Sequence, residues 1–401
     1  MFSLTWPGDE RAGDLMTDRA LLHAMVHAED RWLHTLADHG IAPCYRSLWN
    51  LLADTDIPAI GSQAESGGNP VIPLVDVLRT RLRAAGADDA ARWVHRGLTS
   101  QDIMDTALML TARDAVDVVR SELAAQIHRV SALADRYRDA PMVARTLTRA
   151  AVPTTFGMKA ATWLHGLVDG AQALAALTFP VQMGGAAGTL SGLVELAGPV
   201  RARACRTDYP ASLGLQRCAP WHTRRTPVTR LADAVLCAGD AWGRIANDVL
   251  VLGRSEIGEL SEGAGGTSST MPHKANPTLS VLIRRAALSA PTLGATLHAA
   301  AAEQVDERAD GAWHTEWQAL QILLRRTVVA ARQSTALLSG LRVDTAAMST
   351  RLVQVDHEVC SEQRSLAELA GHAPATTYLG LVDDLVDEAI SRAQPYAGEA
   401  S

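Results

Sequence analysis

Residues 102–140 contain neither glycine nor proline, and no other feature limits the possible folds of this chain as strongly. Within that run Val116, Val119, Leu123, Ile127, Val130, Ala134 and Tyr137 recur at steps of three or four. A breaker-free backbone with an apolar stripe at that spacing predicts one amphipathic helix of about 55 Å, at 1.5 Å per residue. Similar patterns predict long helices over Val228–Glu259, Pro277–Gln304 and Ala312–Leu338, and a shorter one over 154–177. Alternation of β-branched residues is nearly absent, so the expected fold is all-α, an elongated long-helix bundle. Glycine and proline punctuation divides it into an N-terminal helical region (1–100), a central bundle (101–345) and a short C-terminal helical region (346–401). Apolar faces this long are normally buried against other subunits, which predicts an oligomer.

Composition narrows the partners. A formal net charge of −7 over 401 residues offers no basic footprint for nucleic acid or an anionic membrane. Asp9, Glu10 and Arg11 leave no room for an apolar signal-peptide core, and the weakly polar stretch 175–194 is broken by Pro180, Gln182 and glycines. Cys44, Cys205, Cys218, Cys237 and Cys360 are scattered without metal-ligand spacing. The expectation is a cytoplasmic protein with reduced cysteines.

The chemistry concentrates in the run Gly265-Gly266-Thr267-Ser268-Ser269-Thr270-Met271-Pro272-His273-Lys274-Ala275-Asn276-Pro277. The chain has two lysines, Lys159 and Lys274, against 35 arginines, so a lysine here is not surface filler. Asn276 is a good N-cap and Pro277 suits the first helical position, which predicts a helix start at this motif. A helix start offers free N–H groups and partial positive charge to a carboxylate, and Lys274 adds a full cation. Glycines 258, 263, 265 and 266 give the loop freedom to open and close. Ser268 is a poor base in water, but a closed cationic pocket stabilises its alkoxide.

Two other stretches carry anion-binding residues. In His95-Arg96-Gly97-Leu98-Thr99-Ser100-Gln101-Asp102, Thr99 and Asp102 are spaced like a capping box. The stretch therefore reads either as a plain helix cap or as a second site where hydroxyls grip a carboxylate. In the run 144–157, Arg145 precedes Thr146, and an arginine fork matches a carboxylate.

Together these runs resemble the three signatures of the fumarase/aspartase superfamily, whose members abstract a proton beside a carboxylate and break or make a bond at the neighbouring carbon. Gly68–Val75, Val181–Leu190, Pro220–Arg225 and Glu307–Trp317 look like the 3-carboxy-cis,cis-muconate cycloisomerase branch. The resemblance spans residues 68 to 317. It implies a homotetramer with active sites shared between subunits, a small polycarboxylate substrate, and no metal or organic cofactor. The implied reaction adds a carboxylate intramolecularly across a double bond to give 4-carboxymuconolactone, as in protocatechuate catabolism. Ser268 is implied as the base, with Lys274 and Asn276 holding the aci-carboxylate. Thr99, Ser100, Arg145, Thr146 and Arg225 are implied to bind the other carboxylates, with His95, His222 and Ser269 as further candidates.

The departures from the pattern concern chemistry more than fold. Many relatives carry a histidine general acid at the position of Leu147, and some at that of Ala150; this chain has neither. An amine leaving group needs a proton, whereas carboxylate or nitrite leaves as a stable anion. The alternatives are therefore a C–N or C–NO₂ lyase on a substituted succinate, with nitrite release favoured over amine release, or a non-catalytic relative that keeps the bundle. Thr267 stands where relatives usually have glycine, Thr226-Pro227 stands where they often have Asp-Arg, and the C-terminal region is shorter than in many of them.

Overall fold

A computed structural model describes residues 4–263, 265–267, 270–271, 274–308 and 310–397. The N-terminal part holds α1 (Asp18–Asp38), α2 (Ile57–Gly67), α3 (Val71–Ala84) and the short α4 (Asp88–Trp93). The long run becomes α5 (Ser100–Arg136), close to its expected extent. After it, β1 (Pro141–Thr146) and β2 (Arg149–Thr155) form an antiparallel hairpin. Next come α6 (Phe156–Ala175), α7 (Ser191–Ser212, kinked at Gly198) and α8 (Thr226–Leu252). A two-residue strand, β3 (Leu260–Ser261), precedes α9 (Thr278–Ala302) and α10 (Gly311–Gly340), and pairs with β4 (Arg342–Val343). The chain finishes with α11 (Thr345–Val359), α12 (Ser361–Ala370) and α13 (Val382–Ala393).

The mostly helical fold matches the expectation, and the β1–β2 hairpin and the two-residue β3–β4 pairing are the difference. The Arg145–Thr146 stretch forms a hairpin because the chain must reverse at the end of α5. Gly157 allows that reversal: a Cβ there would sit 2.5 Å from the Arg138 Cα. α8 stops at Leu252 rather than near Glu259, with the Gly253 N–H bonding the Val249 carbonyl before the chain turns into β3.

Helices α5, α6, α8, α9 and α10 pack as a closed ring, each against the next. Trp163, Trp221 and Trp242 are among the largest fully buried side chains. Their polar edges are satisfied: Trp242 Nε1 donates to Gln126 Oε1 at 2.7 Å, and Gln126 Nε2 donates to the Ala331 carbonyl at 2.9 Å. That chain of bonds ties α8, α5 and α10 at mid-height, where an unpaired amide would be costly. The ring has two poles. The first holds the start of α5 and α8 and the start of α10. The second holds the hairpin, the 259–277 segment and the end of α10.

No helix among the described residues is long and apolar enough to cross a membrane.

Candidate active site

At the first pole, three carboxylates point inward from helix starts. Asp102 lies in the first turn of α5 and is fully buried. Its Oδ1 accepts from Gly184 N at 2.9 Å and from His222 Nε2 at 2.9 Å. Its Oδ2 accepts from Gly185 N at 2.8 Å and Thr99 N at 3.0 Å. One side chain thereby fixes the start of α5, the glycine-rich 184–188 turn and the 220–225 segment. The carboxylate returning to the Thr99 N–H matches the capping expectation, while Thr99 and Ser100 themselves remain half-buried. His222 is wedged beside Gly184, where a Cβ would sit 2.5 Å from its ring. Its Nε2 is committed to Asp102 and the ring is buried, so it helps to fix the pole.

Arg225 requires a correction. Its side chain is 0 % exposed and lies between two carboxylates. Nη1 and Nη2 donate to Asp105 at 2.7 and 3.0 Å, and Nε and Nη2 donate to Glu316 at 2.9 and 2.6 Å. Trp313 Nε1 adds a 2.9 Å bond to Asp105, and the guanidinium lies 4.6 Å from the Trp221 ring centre. Burial works against its charge, but Asp105 and Glu316 outweigh burial and hold the guanidinium firmly protonated. Burial pushes the Glu316 carboxyl upward, with Arg225 opposing. Every donor of this arginine is used inside the chain, so it cannot bind a substrate carboxylate. The expectation failed because a motif arginine facing substrate and one facing the core look alike in sequence.

His95, just before the pole, has a left-handed backbone (φ 63°) and a side chain 16 % exposed. Its Nδ1 meets Glu29 Oε1 of α1 at 2.5 Å.

The second pole carries the other candidates. Arg145 on β1 forms a two-pronged pair with Glu259, Nη1–Oε2 at 3.0 Å and Nη2–Oε1 at 2.7 Å. Glu259 is fully buried, so Arg145 fastens the hairpin to the segment after α8. Thr146, Leu147, Thr148, Arg149 and Ala150 form the exposed tip of the hairpin. Leu147 and Thr148 have φ of 47° and 72°, the pair of positive values that a two-residue primed turn needs.

The signature loop folds back on itself beside this hairpin. Gly266 N and Asn276 N each bond the other residue's carbonyl, at 2.7 and 2.9 Å. Gly266 must be glycine, since a Cβ would collide with the Thr278 hydroxyl. Lys274 is exposed and Asn276 half-buried, its Nδ2 donating to the Thr267 carbonyl at 3.3 Å. Ser268 and Ser269 lie outside the described residues.

Here too an expectation changes. Asn276 is not the helix cap, and α9 begins two residues later at Thr278. Glu262 caps it instead, accepting from Leu279 N at 3.1 Å and from Ser280 N and Oγ at 2.7 and 2.6 Å. The positive helix end is thus already neutralised by a carboxylate of the same chain.

The candidates therefore form two sets. His95, Thr99, Ser100, His222 and Arg225 belong to the first pole; Arg145, Thr146, Lys274 and Asn276 belong to the second. Helix α5, with 37 residues, separates them by about 55 Å. Sequence reasoning overlooked Glu29, Asp105, Glu259, Glu262 and Glu316. For two of them a signal existed: Glu29 falls on the apolar stripe Leu22-Met25-Val26-Trp32-Leu33-Leu36, and Glu316 on the stripe Trp313-Leu320-Leu323. A carboxylate in a core register must have a buried partner.

Comparison with known proteins agrees with this architecture. A family model described as a lyase matches residues 69–291. A nitrosuccinate lyase of Streptomyces davaonensis is 41% identical, covering 91% of this chain and 80% of that protein. A 3-carboxy-cis,cis-muconate cycloisomerase of Bradyrhizobium diazoefficiens is 38% identical, covering 89% of this chain and 81% of that protein. The crystal structure of 3-carboxy-cis,cis-muconate lactonizing enzyme from Pseudomonas putida superposes with a TM-score of 0.81 at 28% identity, over 96% of this chain and 97% of that one.

Proposed function

Because the chain belongs to the lyase family of the fumarase/aspartase superfamily, we propose that it catalyses addition or elimination beside a carboxylate, with a group that enters or leaves as a stable anion. The observation that carries this reading is the hairpin tip. Thr146, Leu147, Thr148, Arg149 and Ala150 stand exposed there and include no histidine or carboxylic acid. Without a proton donor at that point, amine release lacks a contribution typically worth 10²–10⁴-fold, while carboxylate or nitrite release needs none.

The first reading is a 3-carboxy-cis,cis-muconate cycloisomerase. The substrate's own carboxylate adds across a double bond, and the carbon beside a second carboxylate takes or gives the proton. Ser268 exchanges that proton, and Lys274 with Asn276 stabilises the doubly charged aci-carboxylate. Thr99 and Ser100 of the first pole bind another carboxylate. Such a site needs both poles, and one chain holds them about 55 Å apart. That separation supports an oligomer in which neighbouring chains bring a first pole to a second, and the homotetramer is what the superfamily resemblance implies. The bare Leu147 at the hairpin tip, 96 % exposed, supports a partner surface there.

A second reading, elimination of nitrite from nitrosuccinate, is favoured by the 41% identity to a nitrosuccinate lyase. One experiment separates the two. Purified protein and its Ser268→Ala variant are mixed with 3-carboxy-cis,cis-muconate, following loss of diene absorbance, and with nitrosuccinate, following nitrite release. Turnover of one substrate, abolished by the substitution, selects that reading. Turnover of neither rules out both substrates.

A further inference from the structure

We propose that His95 and the buried Glu29 form a carboxylate–imidazolium dyad whose outward Nε2–H is a charged donor to an anionic group of the substrate, with Glu29 as its positioning residue. The identity of that anion rests on the function proposed above; the dyad itself does not.

Glu29 is fully buried on the core face of α1, between Met25, Val26, Trp32 and Leu33. Its Oε1 meets His95 Nδ1 at 2.5 Å, and its Oε2 has no hydrogen-bond partner among the described residues. A buried carboxylate with so little solvation requires a cation, and the adjoining imidazole is placed to supply it. The backbone is arranged to make this contact. His95 takes a left-handed φ of 63°, a conformation disfavoured for a side chain with a Cβ. Its neighbours hold it there: the Val94 carbonyl accepts from Arg79 at 2.9 Å and the Arg96 carbonyl from Trp32 Nε1 at 2.7 Å. Strain retained by flanking bonds is a mark of a functional position.

The charged groups around the ring are Glu29 on α1, Asp102 on α5 and Arg79 on α3. Burial favours the neutral ring and Arg79 repels a proton, but the charge and hydrogen bond of Glu29, aided by Asp102, prevail. They hold His95 above the ordinary histidine value. With Nδ1–H given to Glu29, Nε2 is the nitrogen left for a ligand, four residues before Thr99 and five before Ser100. No proton need be transferred: a charged donor stabilises a carboxylate or nitrite by hydrogen bonding alone, consistent with the missing acid at Leu147. His222 already gives its Nε2 to Asp102.

The test uses full-length protein with ¹³Cε1-labelled histidine. The His95 resonance, assigned through His95→Gln, is titrated in wild type, Glu29→Gln and Glu29→Asp, with and without succinate. The expected result is a His95 value lowered by about one unit or more in Glu29→Gln, partly recovered in Glu29→Asp, and raised by succinate in wild type. On the substrate that is turned over, the alkaline limb of kcat/KM moves down in pH by the same interval in Glu29→Gln. His95→Gln raises KM about ten- to a hundredfold, the weight of one charged hydrogen bond. A His95 titration unchanged by Glu29→Gln overturns the dyad. A shifted titration with neither a succinate response nor a moved pH limb overturns the donor role and leaves Glu29 a structural tie. The titration needs no turnover, so failure of the proposed reaction is read separately. Should Glu29→Gln not fold, Glu29→Asp carries the comparison.

Discussion

At the first pole Asp102, Asp105 and Glu316 are buried and fully met by His222, Arg225, Trp313 and the 184–185 backbone. At the second pole Lys274 and Thr146 stand in the open, and the local ion pairs, Arg145–Glu259 and Glu262 at the start of α9, fasten the segments that carry them. Both poles use charged side chains at helix ends. One spends them on rigidity, the other leaves them available. Charges met within the fold lend one end rigidity, and charges left unmet at the other are free to meet an anion from outside.

The contrast can be broken most severely at Arg225. Arg225→Met strands two buried carboxylates, so stability falls by about 3–5 kcal/mol, measured by urea denaturation. Lys274→Met should do the reverse: turnover drops about 10²–10³-fold, the loss typical of one anion-stabilising donor, while the midpoint of unfolding stays nearly constant. If Lys274→Met instead unfolds the protein, the available pole is a misreading. Glu262→Ala removes the cap of α9 and costs about 0.5–2 kcal/mol, visible as faster hydrogen exchange at Leu279 and Ser280. Leu147→Asn relieves a left-handed leucine at the hairpin tip and should raise the stability of the single chain by under about 1 kcal/mol, read from the unfolding midpoint.

The pH dependence of stability sharpens the same contrast. His95 is held above its unfolded value, so its contribution is complete below the unfolded imidazole value of about 6.5. That contribution is lost as pH rises through the higher folded value. Wild type should therefore lose stability relative to Glu29→Gln across that window, in paired thermal melts from mildly acid to mildly alkaline pH.

The long helices were legible because their signal is local. A breaker-free run with apolar residues every three or four positions has one low-energy arrangement, and α5, α6, α9 and α10 begin and end within a few residues of expectation. The hairpin at 141–155 was not legible, since its strands gain their pairing from a chain reversal set by Gly157 and the end of α5. Among the candidate residues, Lys274 and the glycine-rich loop stood out by scarcity and spacing, while Arg225 misled.

The sequence by itself determined the helical architecture, the superfamily and the residues available for carboxylate chemistry, since periodicity, capping and motif order are properties of neighbouring positions. Only the tertiary structure decided what those residues face. It gave Arg225 to Asp105 and Glu316, gave the start of α9 to Glu262, joined His95 to Glu29 across 66 positions, and set the two groups of candidate residues at opposite ends of α5. The physical reason is that a buried charge must find its partner wherever packing brings one, and packing is decided by the whole chain.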